Sequence, residues 1–565
     1  MSYQQSAIET IYRKDDDLLI IGLTGRTGSG CSTVAKILCS PKESINHSLF
    51  KGNKPGGNDD RKSKIIYNHY NSTWRQFELI QVRSILTLFL LQDGFNTAAM
   101  KLKEAFPGHE SRIDAAAIYL EGIQTMHDRI DEKNDPGGAI DFYTKALPSA
   151  CSDLKEALGE NLFIKLYQVV GRNIRHSGKP FDATRQEGKF FTLAEKINAI
   201  LKIIISANKS LKRSTLVVID AIRSPLEAIF FQDRYAAFYL AAVSCPNDER
   251  IKRLHSLGLS VDQIAAIDSE EYSSRDLDNP ETYSVQDIQA CLQRADVYIS
   301  NHDVPNKVSE FQGLANQLIR LVSLMKHPGL VTPNAVERCM QLAHTAKLNS
   351  GCISRQVGAT ITDENFSVQA IGWNDAPRGH VPCNLRNRED LTAGEDQSAY
   401  SEYERKTEKF LNQIRQNTPK YIHIKNTGRN LSYCFKSEYN ILTGKPNQVH
   451  TRSLHAEENA FLQLSKYGGR GIAGGYLFTT ASPCELCAKK AYQLGVTKIY
   501  YIDPYPGIAL THILEGGTTN PELILFSGAI GRAFHRLFTP ILPYKDELTA
   551  LAKMDTVNAL TNDAQ

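Results

Sequence analysis

His455-Ala456-Glu457 and, further along, Pro483-Cys484-Glu485-Leu486-Cys487 constrain this chain more than any other feature in it. Two thiolates three positions apart at the start of a helix can meet one metal ion, and an imidazole from a second helix supplies a third ligand. The fourth tetrahedral position then stays open to water, which separates a catalytic zinc from a closed structural one. His455, Cys484 and Cys487 are the expected ligands. Glu457, two positions from His455 at the same helix start, lies near the metal without ligating it and is the expected proton carrier for a metal-activated water. The competing readings are four unrelated capping and core residues, or a structural zinc. Residue type, order and spacing together favour the catalytic one.

The rest of the chain supplies the setting. At 565 residues it is too long for one hydrophobic core, so two principal domains are expected. With 42% hydrophobic and 22% charged residues, neither a disordered nor a fibrous class is indicated. A formal net charge of +3 argues against wholesale coating of nucleic acid, although a local basic patch is compatible with it. The start of the chain carries Asp15, Asp16 and Asp17 where a signal peptide would be basic and apolar. Apolar runs such as 18–23 and 236–243 fall short of the roughly 18 to 20 residues that span a bilayer. Eleven cysteines are too sparse for a disulfide scaffold. A cytoplasmic protein with no membrane partner is expected.

Residues 17–25 form a β-branched and leucine-rich run that enters a glycine-rich turn and then a helical stretch over 32–38. Residues 51–64 combine Gly, Pro, Asn and charge without apolar period and read as an exposed, disordered loop. After a mostly helical region, 215–220, 239–244 and 295–300 read as buried parallel strands. The first domain is therefore α/β with a parallel sheet, over 1–326. A stretch with two prolines and a glycine, 327–334, reads as a linker. The second domain is placed at 335–545, with a tail over 546–565. Its expected order is helix (335–348), strands (357–362 and 367–372), a polar insertion over about 388–449 with one helix near 402–416, a helix from His455, strand (476–479), a helix from Cys484 and strand (498–501).

The spacing H-x-E with P-C-x-x-C is the signature of zinc deaminases. With Arg355-Gln356-Val357-Gly358-Ala359 and Ile371-Gly372-Trp373-Asn374-Asp375-Ala376-Pro377-Arg378-Gly379, most of 334–510 resembles the cytidine deaminase superfamily and, within it, the deoxycytidylate deaminases. The resemblance implies a cytidine-deaminase-like α/β/α domain and a sugar-binding role for Asn374. A local turn role for that asparagine stays open. Arg378 and Lys498 are candidate phosphate contacts, and His380, Cys383 and Cys434 a candidate second, structural zinc site.

Gly25-Arg26-Thr27-Gly28-Ser29-Gly30-Cys31-Ser32 follows a strand and opens a helix, the context in which a phosphate-binding loop cradles phosphate on its N–H groups. Cys31 stands where the pattern demands lysine, so binding should survive better than phosphoryl transfer. This loop, with 217–220, 295–301, Arg250 and Arg253, resembles the P-loop nucleotide and dephospho-coenzyme kinases. An ordinary glycine-rich turn is the competing reading. A P-loop kinase-like domain joined to a deoxycytidylate deaminase looks like the bacterial anti-phage deoxycytidine nucleotide deaminases. That resemblance implies zinc-dependent hydrolytic deamination of dCTP or dCMP by a homo-oligomer, regulated through a nucleotide or RNA at the N-terminal domain. The rivals are deamination of RNA or another base, a working kinase, and a sensor with the deaminase as its output.

Overall fold

The apolar run near the start of the chain forms β1 (Leu18–Thr24), buried along nearly its whole length. In this computed structural model the described residues are 18–49, 55–271, 286–302, 311–445, 447, 449–468, 471–503, 509–550 and 552. The chain divides into two units, Met1–Thr332 with Ser527–Gln565, and Pro333–Phe526.

In the first unit β1 lies at the centre of a six-stranded sheet with β2 (Glu78–Gln81), β3 (Thr215–Asp220), β4 (Phe238–Ser244), β5 (Val297–Ser300) and β11 (Gly528–Ala529), in the order β11-β5-β4-β1-β3-β2. All neighbours pair parallel except β11, which runs antiparallel to β5. Both faces of such a sheet are covered, so β3 reads as a continuous apolar run with every residue buried. β1 passes through the 25–32 loop into α1 (Cys31–Leu38). Two further helices matter to that loop: α2 (Asn247–Ser256) and α3 (Val261–Glu271).

Two features of this unit differ from the sequence reading. Within the segment read as a disordered loop, residues 51–54 lie outside the described residues, but Asn58–Thr73 is a helix. Asp59 and Asp60 favour its N-terminus, and Asp60 accepts from the Gly56 and Gly57 amides at 2.8 and 3.2 Å. The apolar anchors, Ile66 and Tyr70, come after the charged stretch, four residues apart on one face. The second difference is the domain boundary. Past Phe526 the chain returns to the first unit, where Gly528 and Ala529 pair with Tyr298 and Val297 and the helix Gly531–Phe538 buries Ala533 and Leu537. A two-residue strand has no period to read, so the sequence extends the second domain to 545 where the structure ends that unit at Phe526.

The second unit holds a five-stranded sheet of β6 (Gly358–Thr362), β7 (Val368–Trp373), β8 (Tyr476–Ala481), β9 (Lys498–Asp503) and β10 (Glu522–Leu525), in the order β10-β9-β8-β6-β7. β6 pairs antiparallel with β7 and β8, and β8, β9 and β10 pair parallel. The helices that position the site are α4 (Ala335–Ala346), α5 (Ala456–Tyr467) and α6 (Glu485–Gln493). The insertion has a small core of its own, with Phe410, Ile414 and Tyr433. The helix expected near 402–416 is two, Glu402–Lys406 and Glu408–Asn417, with Arg388–Ala393 and Phe435–Thr443 beside them. Among the described residues, no helix is long and apolar enough to cross a membrane.

Candidate active site

Two helix starts meet beside the C-terminal end of β8. α5 begins with His455 as its N-cap and α6 with Cys484, both in extended backbone, so the side chains stand at the amino ends of the helices. Pro483 leads into the second cap, where a fixed φ and a missing N–H cost nothing. Glu458 ties the two starts together. Its carboxylate accepts from the His455 amide at 3.4 Å and pairs with Lys490 on α6.

His455 Nδ1 lies 3.3 Å from Cys484 Sγ and 3.4 Å from Cys487 Sγ. The three donor atoms all fall within 4.8 Å of one another and could hold a metal ion. A tetrahedral zinc with ordinary Zn–N and Zn–S bonds requires N···S separations of roughly 3.5 Å, so the donors fit it in kind and in spacing. The Cys484 thiol is drawn down to about 3, first by its hydrogen bond with Cys487. The same pairing, with burial, pushes Cys487 up, and nearby Glu457 adds to that rise. Hydrogen bonding to Cys484 raises His455.

Glu457 is buried, and burial raises its carboxyl above the usual range. Thr479 Oγ1 donates to Glu457 Oε1 at 2.8 Å and opposes that rise. Thr479 did not emerge from the sequence reading. The signal was present: Leu477 faces the core shared with Ala456 and Ala460, and strand alternation puts Thr479 on the same face two residues later.

Gly372 lets α5 lie directly on β7. A Cβ there would stand 2.3 Å from Ala456 O and 2.5 Å from Ala460 N. Asn459 Nδ2 donates to Trp373 O at 2.9 Å, and the Leu454 amide donates to Asp375 O at 2.9 Å. The 374–379 loop is thereby fixed next to the residue that precedes His455. Asn374 is buried in this loop, where its Oδ1 accepts from the Val357 amide at 2.6 Å and its Nδ2 donates to Arg355 O at 2.7 Å. It therefore orders the 355–357 backbone.

Arg378 is exposed on the same loop. Lys498 sits opposite Tyr476, at the other end of the β8–β9 pair from Ala481, and lies 3.8 Å from Glu522. Among the described residues, His380, Cys383 and Cys434 do not form a second three-donor group.

The N-terminal loop is separate from this centre in the chain. Gly28 and Gly30 have φ of +87° and +104°, a conformation that glycine adopts without strain. Ser32 Oγ donates to Asp220 Oδ2 at 2.8 Å, at the end of β3. Burial, followed by Asp220, pushes the Cys31 thiol up to about 12, so this position carries no charge at neutral pH. Arg250 Nη1 donates to Thr27 O at 3.2 Å, and Arg253 Nη1 to Ser29 O at 3.4 Å.

Residues 333–503 match the cytidine and deoxycytidylate deaminase zinc-binding region. The deoxycytidylate deaminase of Enterobacteria phage T4 is 26% identical over 171 residues, which cover 29% of this chain and 76% of the phage protein. ComE operon protein 2 of Bacillus subtilis (strain 168) is 41% identical over 54 residues, 10% of this chain and 28% of that protein. A solved dCMP deaminase from the cyanophage S-TIM5, in complex with dCMP and dUMP, is 24% identical, spans 35% of this chain and 99% of its own, and has a TM-score of 0.22. Residues 333–503 thus carry the match to the cytidine and deoxycytidylate deaminase zinc-binding region, and deoxycytidylate deaminases are among the proteins this stretch is similar to.

Proposed function

We propose that the second unit hydrolytically deaminates a deoxycytidine nucleotide, converting dCMP to dUMP, dCTP to dUTP, or both. The observation that carries this reading is the buried Glu457 carboxyl, held by Thr479 beside a three-donor His/Cys/Cys group. His455, Cys484 and Cys487 would hold the zinc. When bound, zinc makes water nucleophilic near neutral pH. Glu457 would take one proton from the attacking water and deliver it to the ring nitrogen N3 as the water oxygen bonds C4, then carry that oxygen's remaining proton to the amino group as the C4–N bond breaks. Water and the cytosine base become the uracil base and ammonia. Burial raises the Glu457 carboxyl above the usual carboxylate range, which favours the proton uptake this exchange requires.

The first unit regulates the deaminase by binding a nucleotide, and the pair of units drains deoxycytidine nucleotides during phage infection. In support, the 25–32 loop has the backbone of a phosphate cradle while neutral Cys31 replaces the cation that phosphoryl transfer needs. The test is ammonia release by the full chain from a panel of dCMP, dCTP, CMP, cytidine, adenine nucleotides and short oligonucleotides. Ammonia from dCMP or dCTP is expected. Ammonia from oligonucleotides alone would move the activity to a polymeric base.

A further inference from the structure

The loop between β1 and α1 holds an anion that the chain itself supplies. Glu271, the last residue of α3, is fully buried. Its Oε1 accepts from the Thr27 amide at 3.0 Å and from the Thr27 hydroxyl, and its Oε2 lies 3.2 Å from the same amide. Arg223, in the turn after β3, donates to Oε1 at 2.6 Å and to Thr27 Oγ1 at 3.2 Å. A backbone amide of a glycine-rich turn, a hydroxyl and a guanidinium together are a donor set for phosphate oxygens, and here a carboxylate occupies it.

Three more guanidinium groups reach the same loop. Arg26 lies 2.8 Å from Asp268, and Arg250 pairs with that carboxylate at 2.7 Å. Arg253 spans from Ser29 O to Asn301 O, the latter at 2.9 Å. Asp268 and Glu271 are three residues apart on α3, so one helix face carries the carboxylates that meet Arg26, Arg223 and Arg250, while Arg253 pairs with Glu249 on its own helix at 3.5 Å. A helix that served only to pack against the loop would do so with apolar side chains, because burying a carboxylate is costly unless every lone pair is met. A carboxylate in an anion cradle is instead exchangeable for a stronger anion of similar geometry.

We propose that the 25–32 loop, with Arg26, Arg223, Arg250 and Arg253, is a binding site for an oligophosphate chain, held shut by the Glu271 carboxylate, which the ligand displaces together with the end of α3. The inference deepens the regulatory reading of the first unit and can be tested apart from it, because binding is measured without deamination. If an oligophosphate binds as described but ammonia release from dCMP and dCTP does not respond, the regulatory reading fails and this one stands.

The test uses the full zinc-loaded chain, with sodium tripolyphosphate and ATP as probes in calorimetric titrations of the parent and of Glu271→Gln. Apparent affinity falls by the fraction of molecules whose site is open, so Glu271→Gln should bind at least about tenfold more tightly. Equal gains for both probes mark a site that reads the phosphate chain. A gain for ATP alone marks one that also uses the nucleoside. Hydrogen exchange on the parent gives a second readout: adding the anion that binds should speed exchange over 261–271 and slow it over 25–32. No binding of either probe by parent and variant would overturn the proposal, as would unchanged affinity in a Glu271→Gln protein that melts like the parent. If that variant fails to fold, the parent decides, and exchange over 261–271 that slows or stays the same in saturating anion overturns it.

Discussion

Thr479 Oγ1 holds Glu457 Oε1 at 2.8 Å, so a strand hydroxyl fixes the carboxyl that the proposed chemistry depends on. Both residues are buried, and the bond restrains the rotamer of the carboxyl beside the His/Cys/Cys group. A hydrogen bond to a charged group contributes about 1.5 to 3 kcal/mol. Thr479→Val should therefore lower kcat by about 10- to 100-fold with zinc content unchanged, and Thr479→Ser should recover most of it. Steady-state kinetics with elemental analysis check this. Parent-like kcat in Thr479→Val would remove Thr479 from the positioning of Glu457.

Cys484→Ser and Cys487→Ser should each lose the metal and lower the melting temperature, because metal bound only by the folded state contributes to its stability. Elemental analysis and thermal melts on the same preparations test both losses. Stoichiometric zinc in the double variant would place the metal elsewhere.

Gly372→Ala places a methyl group 2.3 Å from Ala456 O, against backbone that cannot rotate away. The start of α5 must shift, at an overpacking cost of about 1 to 3 kcal/mol. A lower melting temperature and weaker zinc retention are expected together, since His455 caps the displaced helix. A melt and a chelator competition measure them.

In the insertion, Arg386 and Glu404 are both fully buried and paired, with Tyr433 Oη at 2.7 Å from each. Glu404→Ala leaves a buried guanidinium uncompensated and should destabilise the second unit by about 3 to 5 kcal/mol. Replacing both partners with apolar residues of similar volume should recover much of that. Denaturant melts of the single and double variants decide it.

The parts of this protein that were legible in advance are those whose chemistry needs fixed spacing. His455, Glu457, Cys484 and Cys487 lie close in sequence within two short motifs, and the structure brings the three donors together. Long buried strands such as β3 were legible for the same reason, as unbroken apolar runs. Contacts that depend on distant pairing were not. Thr479 meets Glu457 through the packing of β8 on α5, Glu271 meets Thr27 from 244 positions away, and β11 is two residues with no pattern. The motif of Asn374 was readable, whereas the bonds of its side chain to the 355–357 backbone were not.

The most direct test of the account compares the parent with Glu457→Ala, measuring zinc by elemental analysis and ammonia released from dCMP and dCTP by the same samples. Glu457 lies outside the His455, Cys484 and Cys487 group, so the variant should keep its zinc and its fold while losing deamination by about 10²- to 10⁴-fold or more. A zinc-loaded Glu457→Ala protein that releases ammonia at the parent rate would contradict the account.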